Sequence, residues 1–347
     1  MNIKKHIKHY LRSRRASNFA SRTLYEDYPF DIKRLPMGYF KSLGDNNPDK
    51  IFYVIWRDHM GSGFFSNVSY VLCHLKIADQ AGMIPVVDFK NFKTLYNENV
   101  EVHNTENAWE YYFKPVSPFH LDEVYHSKNV FFCSGQYPAS MGYNISQISE
   151  MYEDIYMKKI FLQNHIEEFL KDHLGIIKGR VLGIHFRGQE QKLAAGHSFP
   201  PTKQQMIKCT NEIIEKYKID RIFVVTEDID YLNLFVRTYG DKVIYTDSFR
   251  THKVNAYNLY PRDKHKYLLG LDILIDAFIL SKCTGILCGD SNVSEFARFV
   301  NNKRFEFTYF IDNGVNSSNH LIARYLYRIK MILPSHFGGL SDKILIG

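Results

Sequence analysis

Short apolar runs alternate with longer stretches of helical periodicity along most of the chain. In the first half, the predicted elements are strands at 51–56, 84–89 and 130–133 and helices at 66–81 and 148–173. A strand, a glycine-containing loop, a helix and a second strand form a βαβ unit, in which the right-handed crossover makes the strands parallel neighbours. The pattern therefore predicts an α/β domain in this half.

The second half repeats the alternation after Lys178-Gly179-Arg180, which is typical of a junction between domains. The predicted strands are 181–186, 221–225, 242–246 and 285–288, and the predicted helices are 203–216, 230–238, 265–281, 292–300 and 320–332. Strands that alternate with helices predict an open, doubly wound parallel sheet. We therefore expect an α/β protein with two Rossmann-like domains that face a cleft.

These patterns divide the chain into four parts. They are a basic amphipathic arm (1–25), an N-terminal α/β domain (26–174), a C-terminal domain (175–310), and a final helix and tail that pack back (311–347). A chain of 347 residues is long enough for two domains with separate cores. Hydrophobic residues make up 45% and charged residues 23%, which excludes a disordered, collagen-like or coiled-coil protein. No run approaches the roughly 20 apolar residues of a membrane-spanning helix.

The net charge of +7 comes entirely from the first 25 residues, which hold seven Lys and Arg and no acidic residue. Ile3, Ile7, Tyr10 and Leu11 recur there at helical spacing, so a helix would carry an apolar stripe among cations. Such a segment is typical of a helix on an anionic membrane surface, and equally of a disordered tail or an arm that pairs with a protein. The balanced charge of the remaining chain argues against nucleic acid as a partner.

The five cysteines are scattered and form no Cys-x-x-Cys pair, so neither a zinc knuckle nor a thioredoxin-type site is indicated. We expect them to be small buried side chains. No long apolar segment follows the basic start, so we expect no secretory signal. The simplest location is the cytoplasm, with the basic arm at the inner face of the cell membrane.

Polar side chains follow three strands of the second half, at the edge of a parallel sheet where ligands bind. They are His185, Arg187 and Glu190 after the first strand, Glu227 and Asp228 after the second, and Ser291 and Asn292 at a helix start after the fourth. A guanidinium that faces a helix N-terminus suits a phosphate, because both offer N–H donors to an anion. Equally, Arg187 could form a structural ion pair with Glu190 or Glu227.

Two further motifs are less specific. Gly61-Ser62-Gly63 separates a strand from a helix, which favours either close approach of the backbone to an anion or a plain tight turn. Asp228-Ile229-Asp230 has the Asp-x-Asp pattern of some metal-dependent glycosyltransferases, and also that of a helix cap, which we favour. The histidines lack zinc-hydrolase spacing, and we expect no metal and no other cofactor.

Five motifs, in order between residues 52 and 305, resemble the α1,6-fucosyltransferase family, which is related to the α1,2- and protein O-fucosyltransferases. They are Gly61-Ser-Gly-Phe-Phe-Ser-Asn67, Gly183-Ile-His-Phe-Arg-Gly-Gln-Glu190, Phe223-Val-Val-Thr-Glu-Asp228, Leu274-Ile-Asp-Ala-Phe-Ile-Leu-Ser281 and Cys288-Gly-Asp-Ser-Asn-Val-Ser-Glu-Phe-Ala-Arg298. The resemblance implies a GT-B-like, inverting transferase that uses GDP-fucose without a metal.

The resemblance also implies roles for the site residues. Arg187 would hold the β-phosphate, and His185 and Asp276 would recognise guanine, the carboxylate as a hydrogen-bond acceptor. The remaining donor-binding positions are the acidic pair Glu227 and Asp228, the phosphate-binding helix start at Ser291 and Asn292, and the loop Gly61, Ser62 and Gly63 over the pyrophosphate.

Three positions depart from the family pattern. Gly188 replaces the second of its paired arginines, Glu227 replaces an aspartate, and Ala195 stands near the place of the glutamate proposed as base. Glu190 or His197 could deprotonate the acceptor hydroxyl instead, since a carboxylate or imidazole within about 3 Å would serve. His197 is also compatible with an ordinary loop position.

The sequence thus leads to a hypothesis of fucose transfer from GDP-fucose to a glycan or lipid-linked glycan acceptor, in bacterial surface polysaccharide or glycolipid synthesis. Two alternatives stay open at this point. One keeps the fold but uses GDP-mannose or GDP-heptose as donor, and the other is a non-catalytic nucleotide-sugar-binding protein.

Overall fold

The fold is that of a computed structural model, which describes residues 38–58, 63–135, 160–187, 192–252, 256–302 and 304–340. The strands are β1 (Gly38–Lys41), β2 (Phe52–Ile55), β3 (Ile84–Val87), β4 (Val130–Cys133), β5 (Val181–His185), β6 (Arg221–Val225), β7 (Val243–Ile244), β8 (Gly285–Gly289) and β9 (Phe307–Ile311). The α-helices are α1 (Phe64–Gln80), α2 (Leu121–Val124), α3 (Asn164–Leu174), α4 (Lys203–Tyr217), α5 (Ile229–Tyr239), α6 (His265–Leu280), α7 (Asn292–Asn301) and α8 (His320–Ile332).

The chain divides into two compact units between Asn164 and His165. The predicted boundary at 174/175 lies at the other end of α3, a helix that therefore falls almost wholly in the second unit. Each unit contains helices and parallel strands, so the predicted α/β class is confirmed. The functional roles assigned to the domains stay predictions.

The first unit contains a four-stranded sheet in the order β1-β4-β2-β3. β2 pairs in parallel with β3 and β4, as the βαβ pattern predicts, and β1 adds an antiparallel edge to β4. α1 connects β2 to β3 and buries most of its side chains. One of them, His74, shares a hydrogen bond of 2.8 Å between its Nδ1 and the buried hydroxyl of Tyr53, which links α1 to β2.

The second unit contains a five-stranded sheet, entirely parallel, in the order β7-β6-β5-β8-β9. β5 and β8 are buried along their whole length, as expected for strands covered on both faces by helices. On one face, Leu182 and Ile184 of β5 pack in a core with Met206 of α4 and Phe235 of α5. On the other face, Gly183 lies against Leu280 of α6 and the Cys283 that follows it.

Four of the described helices of the second unit, α4, α5, α7 and α8, begin at residues whose side chains cap free backbone N–H groups. Thr202 forms a reciprocal capping box with Gln205 at the start of α4. Asp228 caps α5, Ser291 caps α7, and Asn319 accepts from the backbone N–H groups of Leu321 and Ile322 in α8. Local sequence therefore sets where these helices start.

The described residues correct several predicted elements. The helix predicted over 148–173 begins only at Asn164; residues 160–163 are not helical, and 148–159 lie outside the described residues. The strand predicted over 242–246 shortens to β7, because the Thr246 side chain turns to Asp276 of α6. β1 and β9 were not predicted at all. Tyr327 of α8 packs against Phe199 within the second unit, and packing of the final helix and tail onto the N-terminal domain stays a prediction.

All five cysteines are buried, so the prediction of small buried side chains is confirmed. The basic arm, residues 1–25, lies outside the described residues. Among the residues that are described, no helix is long and apolar enough to cross a bilayer.

The close approach of α6 to β5 makes a testable prediction. In Gly183→Ala, the new Cβ would lie 2.6 Å from Leu280 Cδ1 and 3.1 Å from Cys283 Sγ. Such overpacking costs about 1–3 kcal/mol, so urea unfolding should show a loss of that size.

Gly175→Ala is the matched control, since its Cβ would meet only the Asp172 carbonyl oxygen, at 3.8 Å. It should be neutral or stabilising by about 0.4–1 kcal/mol. Equal unfolding free energies for the two variants would contradict the packing of α6 on β5.

Candidate functional site

The candidate site lies where the strand order of the second unit reverses. β6 and β7 extend from one side of β5, and β8 and β9 extend from the other. In open α/β sheets, ligands bind beyond the carboxyl ends of the strands at such a switch point. At that edge, His185 of β5 is in register with Val225 of β6 and Cys288 of β8. The residues that follow these three strands are therefore neighbours.

Arg187 follows β5 directly at the switch point. Its side chain is half-buried, and it forms no hydrogen bond or ion pair anywhere in the described part of the chain. The structural ion pair between Arg187 and Glu227 that the sequence allowed is absent from these described residues, and Glu190 lies outside them. None of the five N–H donors of the guanidinium is therefore used by the described residues.

His185 is buried at the end of β5, and its Nδ1 has no hydrogen-bond partner among the described residues. Burial, and secondarily the charge of Arg187, lowers the pKa of His185 to about 3. The imidazole is therefore neutral at physiological pH. An unpaired buried nitrogen of this kind costs about 1–3 kcal/mol, which a ligand that supplies the missing hydrogen bond would recover.

The start of α7 lies on the other side of the switch point, after β8. Ser291 Oγ accepts from the Val293 N–H at 3.3 Å, and Asn292 is exposed in the first turn. The preceding residue, Asp290, accepts a short hydrogen bond from the Ser198 hydroxyl. Pro201 packs on Gly289, where a Cβ would lie 2.7 Å from the proline ring. These contacts hold the loop before α4 against the start of α7.

His197 lies in this same loop, beside Ser198. Its side chain is exposed, and its carbonyl oxygen accepts from the Asn316 N–H at 2.8 Å. Because Ser198 donates to Asp290, the loop brings His197 near the start of α7. Glu190, the other candidate base, lies outside the described residues.

Asp276 lies on α6, which packs on the face of the sheet to which Gly183 belongs. His185 is two residues further along β5 and therefore belongs to the same face. Its carboxylate accepts hydrogen bonds from the hydroxyls of Thr246 and of Ser248, the latter at 3.1 Å. Burial raises the pKa of Asp276 to about 6, against the lowering effect of Thr246, Arg250 and Ser248. The carboxylate is therefore oriented by two hydroxyls and ionised only above about pH 6.

Arg250 is a site residue that the sequence analysis missed. Its Nη1 donates to the carbonyl oxygens of Thr246 and Ser248, at 2.9 and 2.8 Å, and so fixes the turn that holds Asp276. Its Nε and Nη2 are buried without a hydrogen-bond partner among the described residues. No periodicity or spacing marks Arg250, because its role depends on a turn between β7 and α6.

Asp228 is buried and serves as a helix cap, with its Oδ1 accepting from the Asp230 N–H at 2.8 Å. Asp230 is exposed, and its Oδ2 lies 3.2 Å from His252 Nδ1. The Asp-x-Asp pattern is therefore a helix cap, the interpretation favoured from sequence. Glu227 is exposed, and its carbonyl oxygen accepts from the Thr251 N–H at 3.1 Å.

Two lysines that sequence analysis did not single out lie beside this acidic pair. Lys192 Nζ and Lys203 Nζ lie 4.9 and 5.2 Å from the centroid of the Tyr231 ring, which stacks on Phe186 just beyond β5. Burial lowers the pKa of Lys192, while Asp228 and Glu227 act in the opposite direction. The two lysines add positive charge beside Glu227 and Asp228 at this edge of the sheet.

The glycine loop is described only at Gly63, which precedes α1 in the first unit; Gly61 and Ser62 lie outside the described residues. A Cβ at Gly63 would meet no atom within 4 Å, and its φ of −64° is open to any residue. Neither packing nor backbone geometry therefore requires glycine there. Within the described ranges, no group of three or more His, Cys, Asp or Glu side chains is placed to hold a metal ion.

The raised pKa of Asp276 predicts a specific dependence of stability on pH. The folded chain holds the Asp276 proton up to about pH 6, whereas the unfolded chain releases it near 3.8. Between these values wild type loses about 1.4 kcal/mol of unfolding free energy per pH unit. Asp276→Asn has no such loss, so its stability relative to wild type should rise by about 2 kcal/mol from pH 4 to pH 7.

Urea unfolding of both proteins at the two pH values measures this difference. Asp172→Asn, at an exposed carboxylate on α3, is the control and should follow wild type at both pH values. A constant difference between Asp276→Asn and wild type would show that Asp276 is ionised throughout the range.

No family model and no curated protein matches the chain. Solved structures do match. A NodZ α-1,6-fucosyltransferase co-crystallised with GDP is 13% identical with a TM-score of 0.48, over 76% of this chain and 96% of that one. NodZ from Bradyrhizobium is 13% identical with a TM-score of 0.47, over 78% and 99%. POFUT1 in complex with GDP is 12% identical with a TM-score of 0.34, over 76% and 74%. NodZ carries the name of the α1,6-fucosyltransferase family that the five sequence motifs resemble.

Proposed function

We propose that this protein is an inverting, metal-independent glycosyltransferase that transfers fucose from GDP-fucose to a glycan or lipid-linked glycan. The observation that carries the proposal is the position of Arg187. Its guanidinium has no partner among the described residues, and it lies at the switch point of a parallel sheet, where that fold binds ligands. The proposal of GDP-fucose as donor rests on the five motifs that resemble the fucosyltransferases.

In this proposal, Arg187 binds the β-phosphate of GDP as a planar fork of donors, and the start of α7 at Ser291 and Asn292 offers further N–H groups. The acceptor hydroxyl attacks the anomeric carbon of fucose from the face opposite the diphosphate. The bond from that carbon to the β-phosphate oxygen breaks, and GDP leaves with the bonding electron pair. Arg187 stabilises the charge that develops on the diphosphate, which is work that a metal ion does in other transferases.

Guanine recognition is assigned to His185 and Asp276. His185 is neutral, so it can donate one hydrogen bond and accept another without adding charge beside Arg187. Asp276 is ionised at neutral pH, and two hydroxyls use only part of its capacity as an acceptor. Its remaining lone pairs suit the N1–H and amino donors of guanine. Glu227 and Asp228 close the opposite side of the site, where Asp228 fixes the start of α5.

The acceptor side is assigned to the N-terminal domain, 26–174, with Gly61, Ser62 and Gly63 over the pyrophosphate. Glu190 or His197 removes the proton from the acceptor hydroxyl. The setting that fits this assignment is synthesis of a bacterial surface polysaccharide or glycolipid in the cytoplasm, with residues 1–25 on the anionic inner face of the membrane.

Replacement of Arg187 tests the proposal most directly. Arg187→Ala should lower turnover about 10²–10³-fold, as removal of one charge-matched donor does in other enzymes. Its melting temperature should stay close to that of wild type, because the side chain has no partner to lose among the described residues. Release of GDP from GDP-fucose with an acceptor glycan measures the first quantity, and circular dichroism the second.

Arg221→Ala is the matched control. Arg221 is an exposed arginine at the opposite end of the same sheet, so this variant should retain full turnover. Full turnover by Arg187→Ala, or an equal loss in both variants, would refute the assignment of Arg187.

The identity of the donor is tested with a panel of GDP-fucose, GDP-mannose, a GDP-heptose and UDP-sugars. GDP-fucose should give the highest rate of acceptor-stimulated GDP release, and chelators should not change that rate. GDP at 100 times its dissociation constant should stabilise the chain by about 2.7 kcal/mol. A higher rate with GDP-mannose or GDP-heptose would change the donor, and binding without acceptor-stimulated turnover would indicate a non-catalytic binding protein.

A further inference from the structure

Helix α8 presents an apolar face to solvent. Its side chains Leu321, Ile322, Tyr325, Ile329 and Ile332 are each more than half exposed, up to 79% for Ile332. At 3.6 residues per turn these five positions fall within about 100° of one another around the helix axis. They form one continuous stripe, which we call the α8 stripe, with a length of about 16 Å at 1.5 Å per residue.

The opposite face of α8 holds the helix in place. Ala323 and Tyr327 are buried, and Tyr327 packs in a small cluster with Phe199 and Leu340. The carbonyl oxygen of Lys330 also accepts from the Leu340 N–H at 2.7 Å. The α8 stripe is therefore fixed in orientation by contacts on the other side of the helix.

Positive charge borders the α8 stripe. Arg324 and Arg328 are exposed along one edge, Lys330 lies on the opposite face, and α8 contains no acidic residue. A second copy of the same surface would place these arginines near their own equivalents, which is unfavourable. An anionic surface would instead be complementary in both apolarity and charge.

We propose that α8 is an interfacial helix that lies on an anionic phospholipid bilayer. The stripe carries no polar side chain apart from the Tyr325 hydroxyl, and tyrosine is a residue that favours the membrane interface. A protein partner would use hydrogen bonds, about one per 100–200 Å² of interface, for which the stripe offers few groups. Leu333 and Phe337, both exposed, extend the apolar surface beyond the helix end. The proposal does not depend on the donor sugar or on Arg187.

The test is flotation of the full chain with vesicles of phosphatidylcholine and phosphatidylglycerol (about 7:3) and of phosphatidylcholine alone; anionic headgroups should favour binding. Wild type should float with the anionic vesicles and much less with the neutral ones. Leu321→Glu/Ile329→Glu should abolish flotation. Arg324→Gln/Arg328→Gln should weaken binding about 30-fold, since each cation near an anionic surface contributes about 1 kcal/mol.

Val100→Glu/Val236→Glu is the matched control, because it makes the same change in charge at two exposed valines outside α8. It should float as wild type does. Binding of the Leu321→Glu/Ile329→Glu variant at the wild-type level would overturn the proposal and assign binding to another segment, such as residues 1–25. Failure of wild type to float, or equal binding to neutral vesicles, would overturn it as well.

Two further measurements separate the other occupants of the stripe. Size-exclusion chromatography measures the oligomeric state of wild type and of Leu321→Glu/Ile329→Glu. A dimer for wild type and a monomer for the variant would assign the stripe to a second copy and overturn the proposal. A fall in melting temperature of that variant with flotation unchanged would show that the chain itself covers the stripe, and would also overturn it.

Discussion

The parallel pairing of β5 with β6 on one side and β8 on the other determines where the candidate site residues that follow these three strands lie. Each ladder brings the carboxyl ends of its strands to one edge, and the chain continues there into polar loops and helix starts. β5 is the strand from which the order reverses, and in open α/β sheets ligands bind at such a point. Arg187 occupies that position, and the assignment of a diphosphate to this edge follows from it.

Burial gives the charged groups around this edge different properties. Burial, and secondarily the charge of Arg187, lowers the pKa of His185, so the imidazole is neutral. At the end of β5, Arg187 is therefore charged and His185 is not. Asp276 is kept near its point of ionisation by burial, and two hydroxyls and the nearby Arg250 favour its charged form. The same sheet edge thus combines a permanent cation, a neutral imidazole and a carboxylate of raised pKa. The cation can bind an anion, and the neutral imidazole and the ionised carboxylate can form hydrogen bonds with a polar ligand.

Much of the second unit could be predicted because its signals are local. β6 and α8 were predicted with their observed bounds, since a buried strand and a capped amphipathic helix each depend on a short window of sequence. β9 was missed, although Phe307–Ile311 alternates buried and half-buried positions as an edge strand does. The cap role of Asp228 was predictable from its place before α5.

Other parts of the candidate site could not be predicted, since they depend on contacts between distant segments. Thr246, Ser248 and Arg250 surround Asp276 from a turn that has no periodic pattern, and 28 or more residues separate both hydroxyls from that carboxylate. The unpaired Nδ1 of His185 likewise depends on what the packed helices leave beside it. The sequence motifs identified His185 and Asp276 as candidates. The structure shows that Thr246 and Ser248 orient Asp276, and that His185 Nδ1 has no hydrogen-bond partner among the described residues.

Gly183 of β5 lies against the end of α6, the helix that carries Asp276. The α6 side chain of Leu280 and the neighbouring Cys283 occupy the space that any larger residue on β5 would need, and α6 also carries Asp276. A bulkier residue at position 183 would displace α6 and with it the Asp276 carboxylate, although position 183 does not contact that carboxylate itself. A residue larger than glycine at position 183 therefore requires smaller side chains at positions 280 and 283 if α6 is to keep its place on β5.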